Sequence, residues 1–522
     1  MSPPFPRLRP YSRGDVWAQT AAEAGAFDAH AIASVGVPQP VLMENAGRAA
    51  AAITLRALGG SEVVGLVGAG NNGGDALVAL RTLASWGVRT QAVLVADRPL
   101  DDPLLHGWPL DVVTDRDLGE AGWIAALGSA DVVLDGVLGT GARGAPRERQ
   151  ARAIQRLDGS DVPVVALDVP SGIDASSGAV PGAAVHATLT VAFGAPKIGA
   201  LLHPARGRVG RHVVVEIGLP PLGPGDAWAT VVTPAWARSR LPTRDADTHK
   251  NRVGRVLVVG GRVGMAGAVV LCARAALAGG AGLVRIGSVG ENRATIQAAV
   301  PEAIHVDSTD FDALEESLAV SDVIVVGPGM GTDDRARVIL ERVVGTGAQP
   351  LLLDADALNL VAAGAIDLSA VARGRPVLIT PHPGEMARLS APANGVPSTE
   401  AAASAAERFG CAVLLKGAPS VVAVTGEPIA IDTQGTSDLA AAGMGDTLAG
   451  VCGALMAQGL GPATAGSIGL YLSGRAAVLA GRGPGLIPSD VVRWLPEALV
   501  EPGMPHTDLD LPFVTFDADA PR

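Results

Sequence analysis

Three segments in the first half of the chain carry polar residues that could bind a ligand or a cation. GAGNNGGDA contains Asn72 and Asp75, DGVLGTGARG begins at Asp135, and DVPSGID begins at Asp168 and contains Ser171. Asn72, Asp135 and Ser171 offer oxygen atoms, which are the ligands that hard cations prefer. The same residue types also form turns by bonding to their own backbone. Three such segments after three apolar runs favour a binding site over three unrelated turns.

The glycines of the first segment fit a dinucleotide-binding pattern. Gly68, Gly70 and Gly73 have the G-x-G-x-x-G spacing after the apolar run EVVGLV, and Asp97 follows the next run at the place of a ribose-binding acid. This pattern by itself predicts a dinucleotide-dependent dehydrogenase. Asp75 argues against a diphosphate at this turn, because a carboxylate repels phosphate. It fits contact with hydroxyl groups of a ligand, or a helix cap.

The second half contains the segment AAAGMGDTLAGVCGAL, which predicts an anion-binding helix start. Gly443 and Gly445 leave backbone N–H groups free to face an anion, and the helix dipole adds to them. Asp446 could accept a proton from a substrate hydroxyl during phosphoryl transfer. An aspartate at a helix start also stabilises a helix by itself, by up to ~1 kcal/mol, but the preceding GMG favours the catalytic interpretation. The pattern G-x-x-x-x-G-K-[ST] is absent from this half, which excludes a P-loop.

A histidine follows another apolar run, in the segment TPHPGEMARL. His382 lies between Pro381 and Pro383, in a short predicted loop after a strand. A lone histidine is more often structural, but this position favours contact with a ligand.

The elements that must position these residues are two series of strands and helices. Near-continuous Val and Leu runs, such as VPVVALDV in the first half and SDVIVVG in the second, are typical of parallel strands covered on both faces by helices. The pattern predicts doubly wound α/β folds, in which ligands bind at the carboxyl ends of the strands. A chain of 522 residues is too long for one ordinary core, which predicts two domains.

Three further features concern the organisation of the chain. A stretch rich in Pro, Gly and charge around residues 218–250 marks the boundary between predicted domains at 10–222 and 228–502. Residues 447–474 carry no charge, yet GLGP interrupts them, which predicts two buried helices around a turn rather than a membrane span. The tail after residue 501 contains Pro, Asp and Thr and is predicted to be disordered.

Composition excludes several classes of protein. Hydrophobic residues make up 48% of the chain and charged residues 18%, which indicates a globular protein. The net charge of −12 argues against a nucleic-acid partner. Cys272, Cys411 and Cys452 show no CxxC spacing and are predicted to be buried, reduced thiols. The first residues lack the apolar region of a signal peptide, so a cytoplasmic protein without a membrane span is expected.

Several motifs of the first half resemble one family. LMENAG, GNNGGD, GTG, DVPSGID and TLTVAFGAPKIG are similar to the NAD(P)H-hydrate epimerases over residues 10–220. The resemblance implies a Rossmann-like domain that interconverts the R and S epimers at C6 of the hydrated nicotinamide ring. It also implies that Asn72, Asp135 and Ser171 bind potassium. Asp168 is the predicted acid–base residue, with a role as ligand anchor as the alternative. Ala76 stands where a glycine commonly follows the aspartate, which is a small departure.

By the same resemblance, two loops and Asp168 hold the hydrated cofactor. The predicted binding residues are Asn71, Asn72, Gly73, Gly74, Asp75, Gly139, Thr140, Gly141, Ala142, Arg143, Gly144, Ala145 and Asp168. All of them follow predicted strands.

The motifs of the second half resemble a second family. GMGD at a helix start is similar to the ribokinase-like superfamily. GMAGAVVLCARAALAGGAGLV, VVGPGMGT, DADALN, TPHPGEMARL, LLKG and AAGMGDTLAG narrow this to the ADP- or ATP-dependent NAD(P)H-hydrate dehydratases, over residues 245–500. HPGE is the most specific motif, because sugar kinases of the superfamily do not usually carry it. TSDLAAAGMGD departs from the usual residues before the GxGD core, which leaves the contacts of this loop open.

This second resemblance implies two sets of binding residues. The hydrate would be bound by Ala268, Gly331, His382 and Asp446, with Asp446 as the catalytic base. The nucleotide, which is ADP or ATP with Mg²⁺, would be bound by Lys416, Gly417, Ala418, Pro419, Ser420 and Gly445.

Together the two resemblances predict an α/β enzyme that repairs hydrated nicotinamide cofactors. Its substrates would be NADHX and NADPHX, the hydrated forms of NADH and NADPH. The first, Rossmann-like domain would epimerise them, and the second, ribokinase-like domain would dehydrate the S form after phosphorylating its C6 hydroxyl. Three alternatives stay open: a ribokinase-type kinase fused to a nucleotide-binding regulatory domain, a first domain that binds without catalysis, and a dehydrogenase. The oligomeric state is also open, a homo-oligomer included.

Overall fold

The computed structural model describes residues 15–99, 102–105, 107–244, 247, 253–392, 395–501 and 509–520. The chain forms two compact units. The first comprises Met1–Thr230 together with Met504–Arg522, and the second comprises Val231–Gly503.

The described residues of the first unit begin with eight strands and six α-helices. The strands are β1 (Val16–Ala18), β2 (Glu62–Val67), β3 (Arg89–Leu94), β4 (Asp111–Thr114), β5 (Val132–Gly136), β6 (Val164–Leu167), β7 (Leu189–Phe193) and β8 (Arg211–Val215). The helices are α1 (Ala21–His30), α2 (Gln39–Ala57), α3 (Asn71–Ser85), α4 (Asp115–Ser129), α5 (Glu148–Asp158) and α6 (Ile198–Leu201). A π-helical segment (Ala31–Val35) and a 3₁₀ turn (Ala205–Arg208) complete it.

The strand β9 (Ala229–Val232) leads into the second unit. Its further strands are β10 (Arg255–Val259), β11 (Leu283–Ser288), β12 (Ile304–Asp307), β13 (Val323–Val326), β14 (Leu351–Leu353), β15 (Val377–Ile379), β16 (Ala412–Leu415), β17 (Ser420–Ala423) and β18 (Ile429–Asp432). The helices are α7 (Pro234–Arg240), α8 (Ala266–Ala278), α9 (Arg293–Ala299), α10 (Phe311–Ala319), α11 (Asp334–Gly345), α12 (Asp356–Ala362), α13 (Leu368–Gly374), α14 (Pro383–Ser390), α15 (Ser398–Phe409), α16 (Met444–Ala457), α17 (Pro462–Ala480) and α18 (Pro488–Val500). The last strand, β19 (Val514–Ala518), belongs to the first unit.

The sheet of the first unit has the strand order β19-β8-β7-β6-β5-β2-β3-β4. Neighbouring strands are parallel except β19, which is antiparallel to β8. From β4 to β7 this is the order of a Rossmann-type sheet, which reverses between β2 and β5. Alternate strand residues pack on α2 and α3 on one face and on α4 and α5 on the other. The predicted doubly wound α/β fold is confirmed here.

The sheet of the second unit has the order β18-β17-β16-β15-β14-β13-β10-β11-β12. Strands β10 to β16 run parallel, and β17 and β18 are antiparallel to their neighbours. The buried strands read VLVV, VIVV and LLL, because parallel strands covered on both faces need apolar side chains on both. This order reverses between β10 and β13, which is where an open α/β sheet is expected to bind ligands.

The tail of the chain departs from the prediction. Disorder was predicted after residue 501, but β19 pairs with β8, and Phe516 is buried opposite Val214. Asp517 binds Arg211 at 2.6 Å. The segment VTFDA has the alternation of apolar and polar residues that is typical of a strand, but the residues around it are polar, and the prediction of disorder followed from them. Residues 502–508 of the tail lie outside the described residues.

The uncharged stretch 447–474 behaves as predicted. It lies in α16 and α17, two largely buried helices separated by the turn at 458–461. Within the part of the chain that the structure describes, no helix is long and apolar enough to cross a membrane. Cys272, Cys411 and Cys452 are buried and form no disulfide, as predicted.

Candidate active sites

The first candidate site lies at the carboxyl ends of β2, β5 and β6. Close packing explains two of the glycines between β2 and α3. A Cβ on Gly73 would lie 2.0 Å from the Gly68 carbonyl oxygen, and a Cβ on Gly68 would lie 2.1 Å from the Val137 carbonyl oxygen. Gly68 and Gly73 are therefore required by the approach of the loop to its neighbours, whatever ligand binds there, whereas a Cβ on Gly70 would meet nothing within 4 Å.

Asn72, Asp135 and Ser171 converge at this edge of the sheet. The Ser171 hydroxyl donates to Asp135 Oδ1 at 2.6 Å, and its backbone N–H donates to Oδ2 at 2.8 Å. The Asn72 amide donates to the Leu138 carbonyl at 2.9 Å, and the Leu138 N–H donates to Ser171 Oγ at 2.7 Å. Asp135 is fully buried, and burial raises its pKa to about 6 although these hydrogen bonds lower it.

The cluster fits a singly charged cation. Asn72 Oδ1 is buried without a hydrogen-bond partner among the described residues, so a bound ion would satisfy it. The hydrogen bonds to the Asp135 carboxylate come from neutral groups, so a cation would also balance its charge. Groups of three or more His, Cys, Asp or Glu side chains able to hold a metal do not occur in the described ranges. One carboxylate with neutral oxygens suits an ion of low charge.

Asp168 directly follows β6 and has an unusual backbone. Its φ of 64° lies in the left-handed region, which residues other than glycine rarely adopt. Lys197 Nζ lies 2.6 Å from Oδ1, and the Thr140 N–H, at 3.3 Å, and the Thr140 hydroxyl both donate to Oδ2. Burial raises the pKa of Asp168, but the Lys197 ammonium and the Thr140 hydrogen bonds outweigh it and hold that pKa below its usual value. These contacts hold an ionised carboxylate in a strained position, as functional sites often do.

Lys197 is a residue that the sequence analysis missed. It is 4% exposed, and its ammonium also donates to the carbonyls of Phe193 at 2.8 Å and Ala195 at 3.1 Å. A lysine is almost never buried unless it is paired. A lone lysine in the apolar run TLTVAFGAPKIGALL was therefore a signal that could have been used.

Asp75 lies in the first turns of α3 and does not cap the helix, because its N-cap is Gly70. Burial raises the pKa of Asp75 well above its usual value, and the Asp168 carboxylate raises it further. No hydrogen bond contributes to this shift. The pKa values of Asp75 and Asp168 are thus displaced in opposite directions, which is the arrangement that separates a general acid from a general base.

The remaining predicted residues of the first site lie around this cluster. Asn71, Gly73 and Gly74 belong to the start of α3, beside Asn72. Residues 139–145 form a largely exposed loop after β5, of which Thr140 reaches Asp168. Asp97 follows β3, where its largely exposed side chain pairs with Arg149 at 2.7 Å.

The second candidate site lies at the carboxyl ends of β14, β15 and β16. Asp354 is 1% exposed, and its Oδ1 accepts from the Thr380 hydroxyl and from Lys416 Nζ, both at 2.8 Å. Lys416 Nζ also lies 4.0 Å from Glu385 Oε2. Burial lowers the pKa of Lys416, but Asp354 and Glu385 outweigh it and raise that pKa. One partly buried ammonium therefore links carboxylates that follow two different strands.

The GMGD segment meets this cluster at the start of α16. Gly443 is the N-cap, in the left-handed conformation with φ 87°. A Cβ on Gly445 would lie 3.3 Å from Lys416 Nζ. Burial and the Asp354 carboxylate raise the pKa of Asp446 to about 7, although Lys416 lowers it, and no hydrogen bond contributes. A carboxylate with a pKa near neutrality is suited to general-base catalysis.

His382 has a structural role in addition to the predicted ligand contact. It is the N-cap of α14, and its Nδ1 accepts from the N–H groups of Gly384 at 3.0 Å and Glu385 at 3.3 Å. Glu385 Oε2 accepts from the His382 N–H at 2.8 Å, which completes a capping box. The side chain is half exposed, with Nε2 3.4 Å from Glu385 Oε1. Nε2 is therefore the ring atom that could reach a ligand.

Gly331 and Ala268 lie beside the loop after β13. Gly331 has φ 82°, and its N–H donates to Asp356 Oδ2 at 2.8 Å. A Cβ on Gly329 would lie 3.0 Å from the Ala268 Cβ, so α8 packs on this loop. Because β13 neighbours β14, the loop is roughly 5 Å, one strand spacing, from the strand that carries Asp354.

The predicted nucleotide-binding residues lie in two places. Lys416 and Gly445 belong to the cluster around Asp354. Gly417, Ala418, Pro419 and Ser420 form the adjoining turn into β17, where the Gly417 N–H donates to Ser420 Oγ at 3.1 Å.

Asp354 and Glu385 are further residues to which the sequence analysis assigned no role. Both stand in the quoted motifs DADALN and HPGE. Asp354 directly follows β14, and Glu385 lies in the first turn of the helix after β15. An acidic residue close after an apolar run was the available signal.

Two families match the chain, one in each unit. Residues 39–199 match the family described as YjeF-related protein N-terminus. Residues 256–495 match the family described as NAD(P)H-hydrate dehydratase.

Relatives match the chain over both units. A bifunctional NAD(P)H-hydrate repair enzyme of Salinibacter ruber is 38% identical over 496 residues, which cover 88% of this chain and 91% of that enzyme. The enzyme of the same description from Escherichia coli is 36% identical over 444 residues, which cover 80% of each chain.

Solved structures resemble one half of the chain. An ADP/ATP-dependent NAD(P)H-hydrate dehydratase from Bacillus subtilis, co-crystallised with ATP and Mg²⁺, is 27% identical, with a TM-score of 0.43, and covers 50% of this chain and 95% of its own. A ribokinase-like superfamily protein from Enterococcus faecalis is also 27% identical, with a TM-score of 0.48, and covers 52% and 94%.

Proposed function

The chain belongs to the family of bifunctional NAD(P)H-hydrate repair enzymes, and on that premise we propose how its two sites divide the reaction. The first, Rossmann-like unit interconverts the R and S epimers of NADHX and NADPHX. The second, ribokinase-like unit dehydrates the S epimer to NADH or NADPH at the expense of a nucleotide. One observation carries the assignment of the sites. Each unit places a carboxyl group with a displaced pKa at the carboxyl end of its sheet: Asp75 and Asp168 in the first unit, and Asp446 in the second.

Epimerisation requires the bond between C6 and its hydroxyl oxygen to break and to form again on the opposite face of the ring. The lone pair of the ring nitrogen expels the hydroxyl, which takes a proton and leaves as water. Water then adds to the other face and gives up a proton. Asp75 is the acid and Asp168 the base, which the opposite displacement of their pKa values supports. Lys197 and Thr140 position Asp168, and the reverse reaction exchanges the two roles.

Potassium is the proposed cation of the first unit. Asn72, Asp135 and Ser171 would hold it, supported by the unpartnered Asn72 Oδ1 and the buried Asp135 carboxylate. The ion would neutralise Asp135 and stabilise the loop after β5. That loop carries Thr140, which contacts Asp168.

Dehydration begins with phosphorylation, because hydroxide is a poor leaving group from C6. Asp446 takes the proton of the C6 hydroxyl as the hydroxyl oxygen attacks the terminal phosphorus of ADP or ATP, and the bond from that phosphorus to the bridging oxygen breaks, so that AMP or ADP leaves. Phosphate then leaves C6 with the electrons of that bond while the ring nitrogen supplies its lone pair. Loss of a proton from C5 restores the double bond of the dihydropyridine. The backbone N–H groups at the GMGD helix start stabilise the charge that develops on the phosphoryl group.

Mg²⁺ fits the carboxylates beside Lys416. Magnesium is usually bound through one or two carboxylates together with substrate phosphates, and Asp354 and Glu385 lie within 4.0 Å of the same ammonium. The ion would neutralise phosphate charge during transfer. The proposed nucleotide contacts are Lys416, Gly417, Ala418, Pro419, Ser420 and Gly445, and the proposed hydrate contacts are Ala268, Gly331, His382 and Asp446.

One assay tests both reactions. The protein is incubated with mixed NADHX epimers and either ADP or ATP, and the absorbance of the dihydronicotinamide is followed. Complete conversion of both epimers supports the proposal. Conversion of only one epimer would contradict the proposed epimerase activity of the first unit. A stable phosphorylated product would instead identify a small-molecule kinase.

Removal of the Asp135 carboxylate should weaken epimerisation. Asp135→Ala is expected to lower hydrate binding and epimerisation on the order of 10-fold, because the loop after β5 loses its ion. The second unit should keep near-normal dehydration of the S epimer. The wild-type epimerase rate, measured by chromatography of R and S, should depend on potassium.

Asp131→Ala is the matched control, since Asp131 lies before the other end of β5 and binds backbone N–H groups of residues 61 and 62. It should keep the potassium response. Equal epimerase rates with and without potassium in the wild type would contradict the cation assignment.

The pH dependence of dehydration should follow Asp446. The base must be ionised to accept a proton, and its pKa is raised to about 7. We therefore expect kcat/KM for the S epimer to fall about 10-fold per pH unit below that value and to level off above it. A flat profile between about pH 5 and pH 9 would count against Asp446 as the base.

The proposed domains and location complete the assignment. The epimerase domain spans residues 10–222 and the dehydratase domain residues 228–502, with β19 beyond both. We place the enzyme in the cytoplasm. Its three unpaired cysteines are what a reducing compartment favours.

A further inference from the structure

A cavity of about 210 Å³ lies at the reversal of the strand order in the second unit. The turn after β10, from Gly260 to Val263, forms one wall, and Val289 and Ser308 line it after β11 and β12. Met330 and Arg335 close it from the side of β13 and α11. No residue of this lining has a role in the mechanism above.

Two arginines of this cavity have no partner among the described residues. Arg262 and Arg335 are exposed, and neither guanidinium makes an ion pair or a hydrogen bond with a described residue. Asp333 is the one carboxylate among the described residues of the lining. Its Oδ1 is engaged with the Ala336 N–H at 2.9 Å, as the N-cap of α11. Two guanidinium groups against one carboxylate leave the lining with a net positive charge that suits an anionic ligand.

The turn that carries Arg262 is held in place by a buried polar network. Asn292 Nδ2 donates to the Gly261 carbonyl at 2.7 Å and to Ser288 Oγ at 2.9 Å. The Ser288 hydroxyl donates to the same carbonyl at 2.7 Å. The Arg262 N–H donates to the Gly329 carbonyl at 2.7 Å. The backbone from which the Arg262 side chain extends is therefore held in place, which restricts where its guanidinium can meet a ligand.

The cavity adjoins the proposed hydrate site and lies farther along the sheet from the turn 417–420 of the proposed nucleotide site. A Cβ on Gly331 would lie 3.0 Å from Arg262 Cδ, so the arginine side chain packs on a proposed hydrate contact. Two strand spacings, roughly 10 Å, separate β10 from the strand before Asp354. Four spacings, roughly 19 Å, separate β10 from the strand before Lys416. The cavity thus lies beyond the hydrated ring, on the side away from the nucleotide.

We propose that Arg262 and Arg335 bind a phosphate group of the hydrated dinucleotide, whose ring lies at Asp446. The inference rests on the proposed dehydratase function and extends its site along the sheet edge. Guanidinium groups suit this ligand because they bind phosphate oxygens in pairs. The hydrated dinucleotides differ in the phosphate groups that they carry. The diphosphate occurs in both NADHX and NADPHX, and the 2′-phosphate occurs only in NADPHX.

The test compares Arg262→Gln and Arg335→Gln with a matched control. Arg337→Gln is the control, because Arg337 is exposed on the same helix and pairs with Glu341 at 3.0 Å. KM for the S epimer should rise about 10-fold or more in the two variants, the scale of a charge-assisted hydrogen bond. kcat and the KM for the nucleotide should change little. The control should match the wild type.

The two substrates identify the phosphate. A rise in KM for both NADHX and NADPHX indicates that the arginines bind the diphosphate. A rise in KM for NADPHX alone indicates that they bind the 2′-phosphate. Unchanged KM values for both substrates, or the same change in Arg337→Gln, would overturn the proposal.

A binding measurement separates this inference from the proposed function. NADPH, the product, is titrated calorimetrically into the wild type and into the double variant, which should lose one class of NADPH site. If the wild type forms no NADH from NADHX but the double variant loses that site, the phosphate site stands and the dehydratase assignment fails. If the double variant binds NADPH like the wild type, the phosphate site is wrong even in an active dehydratase.

Discussion

Replacing Asp446 by asparagine is expected to reduce nucleotide-dependent dehydration by about 100-fold or more, the usual scale for loss of a general base. Asparagine keeps the size of the side chain but cannot accept the proton of the attacking hydroxyl. Folding should change little, because an aspartate at a helix start contributes only ~1 kcal/mol or less through the helix dipole. Pure R epimer is supplied, and R, S and NADH are followed by chromatography. R and S should interconvert while almost no NADH forms.

Asp490→Asn provides the control for this experiment. Asp490 is also an aspartate in the first turn of a helix, α18, where it accepts from the Ile487 N–H at 3.3 Å. It should leave dehydration at the wild-type rate. NADH formation at that rate by Asp446→Asn would show that Asp446 only stabilises its helix. Loss of epimerisation as well would show that the two units do not act independently.

Replacing Asp168 by asparagine should reduce epimerisation by about 100-fold or more, because the base that receives a proton is lost. Dehydration of pure S epimer should continue. The substitution also leaves the buried Lys197 ammonium without its carboxylate, and breaking a buried ion pair costs ~3–5 kcal/mol. The melting temperature is therefore measured beside the rate.

Lys197→Met separates catalysis from stability. Without the ammonium, burial should raise the pKa of Asp168, so the epimerisation profile should move to higher pH. A purely structural lysine would lower the amount of folded enzyme without moving that profile.

Asp174→Asn is the control for Asp168. Asp174 lies in the same segment and only forms a turn, in which it accepts from the N–H groups of Ser176 at 3.0 Å and Ser177 at 2.8 Å. The Asp174→Asn enzyme should epimerise the hydrate at the wild-type rate. If Asp168→Asn raises KM and leaves kcat unchanged, Asp168 is a ligand anchor and not the base.

The sequence by itself predicted the class of both units and the edges at which their sites lie. Near-continuous runs such as VVAL and VIVV are local signals of buried parallel strands, which need no knowledge of the partner strand. The carboxyl ends of parallel strands share one edge of a sheet. The sequence alone therefore predicted that Asn72, Asp135 and Ser171 lie close together. The structure brings them together around Leu138.

The tail shows where local reasoning failed. VTFDA is stabilised by pairing with β8, and the ion pair of Asp517 with Arg211 joins residues 306 positions apart. Composition describes only neighbours in sequence, so it could not reveal a partner at that separation.

The tertiary structure alone decided the protonation of the sites. Asp168 is ionised because Lys197, which follows a different strand, reaches its carboxylate. Asp446 has a pKa of about 7 because the fold buries it beside Asp354, which follows a strand and lies 92 residues earlier in the chain. Motifs identify which groups can titrate, but burial and remote charges set their pKa values, and both arise only when the chain has folded.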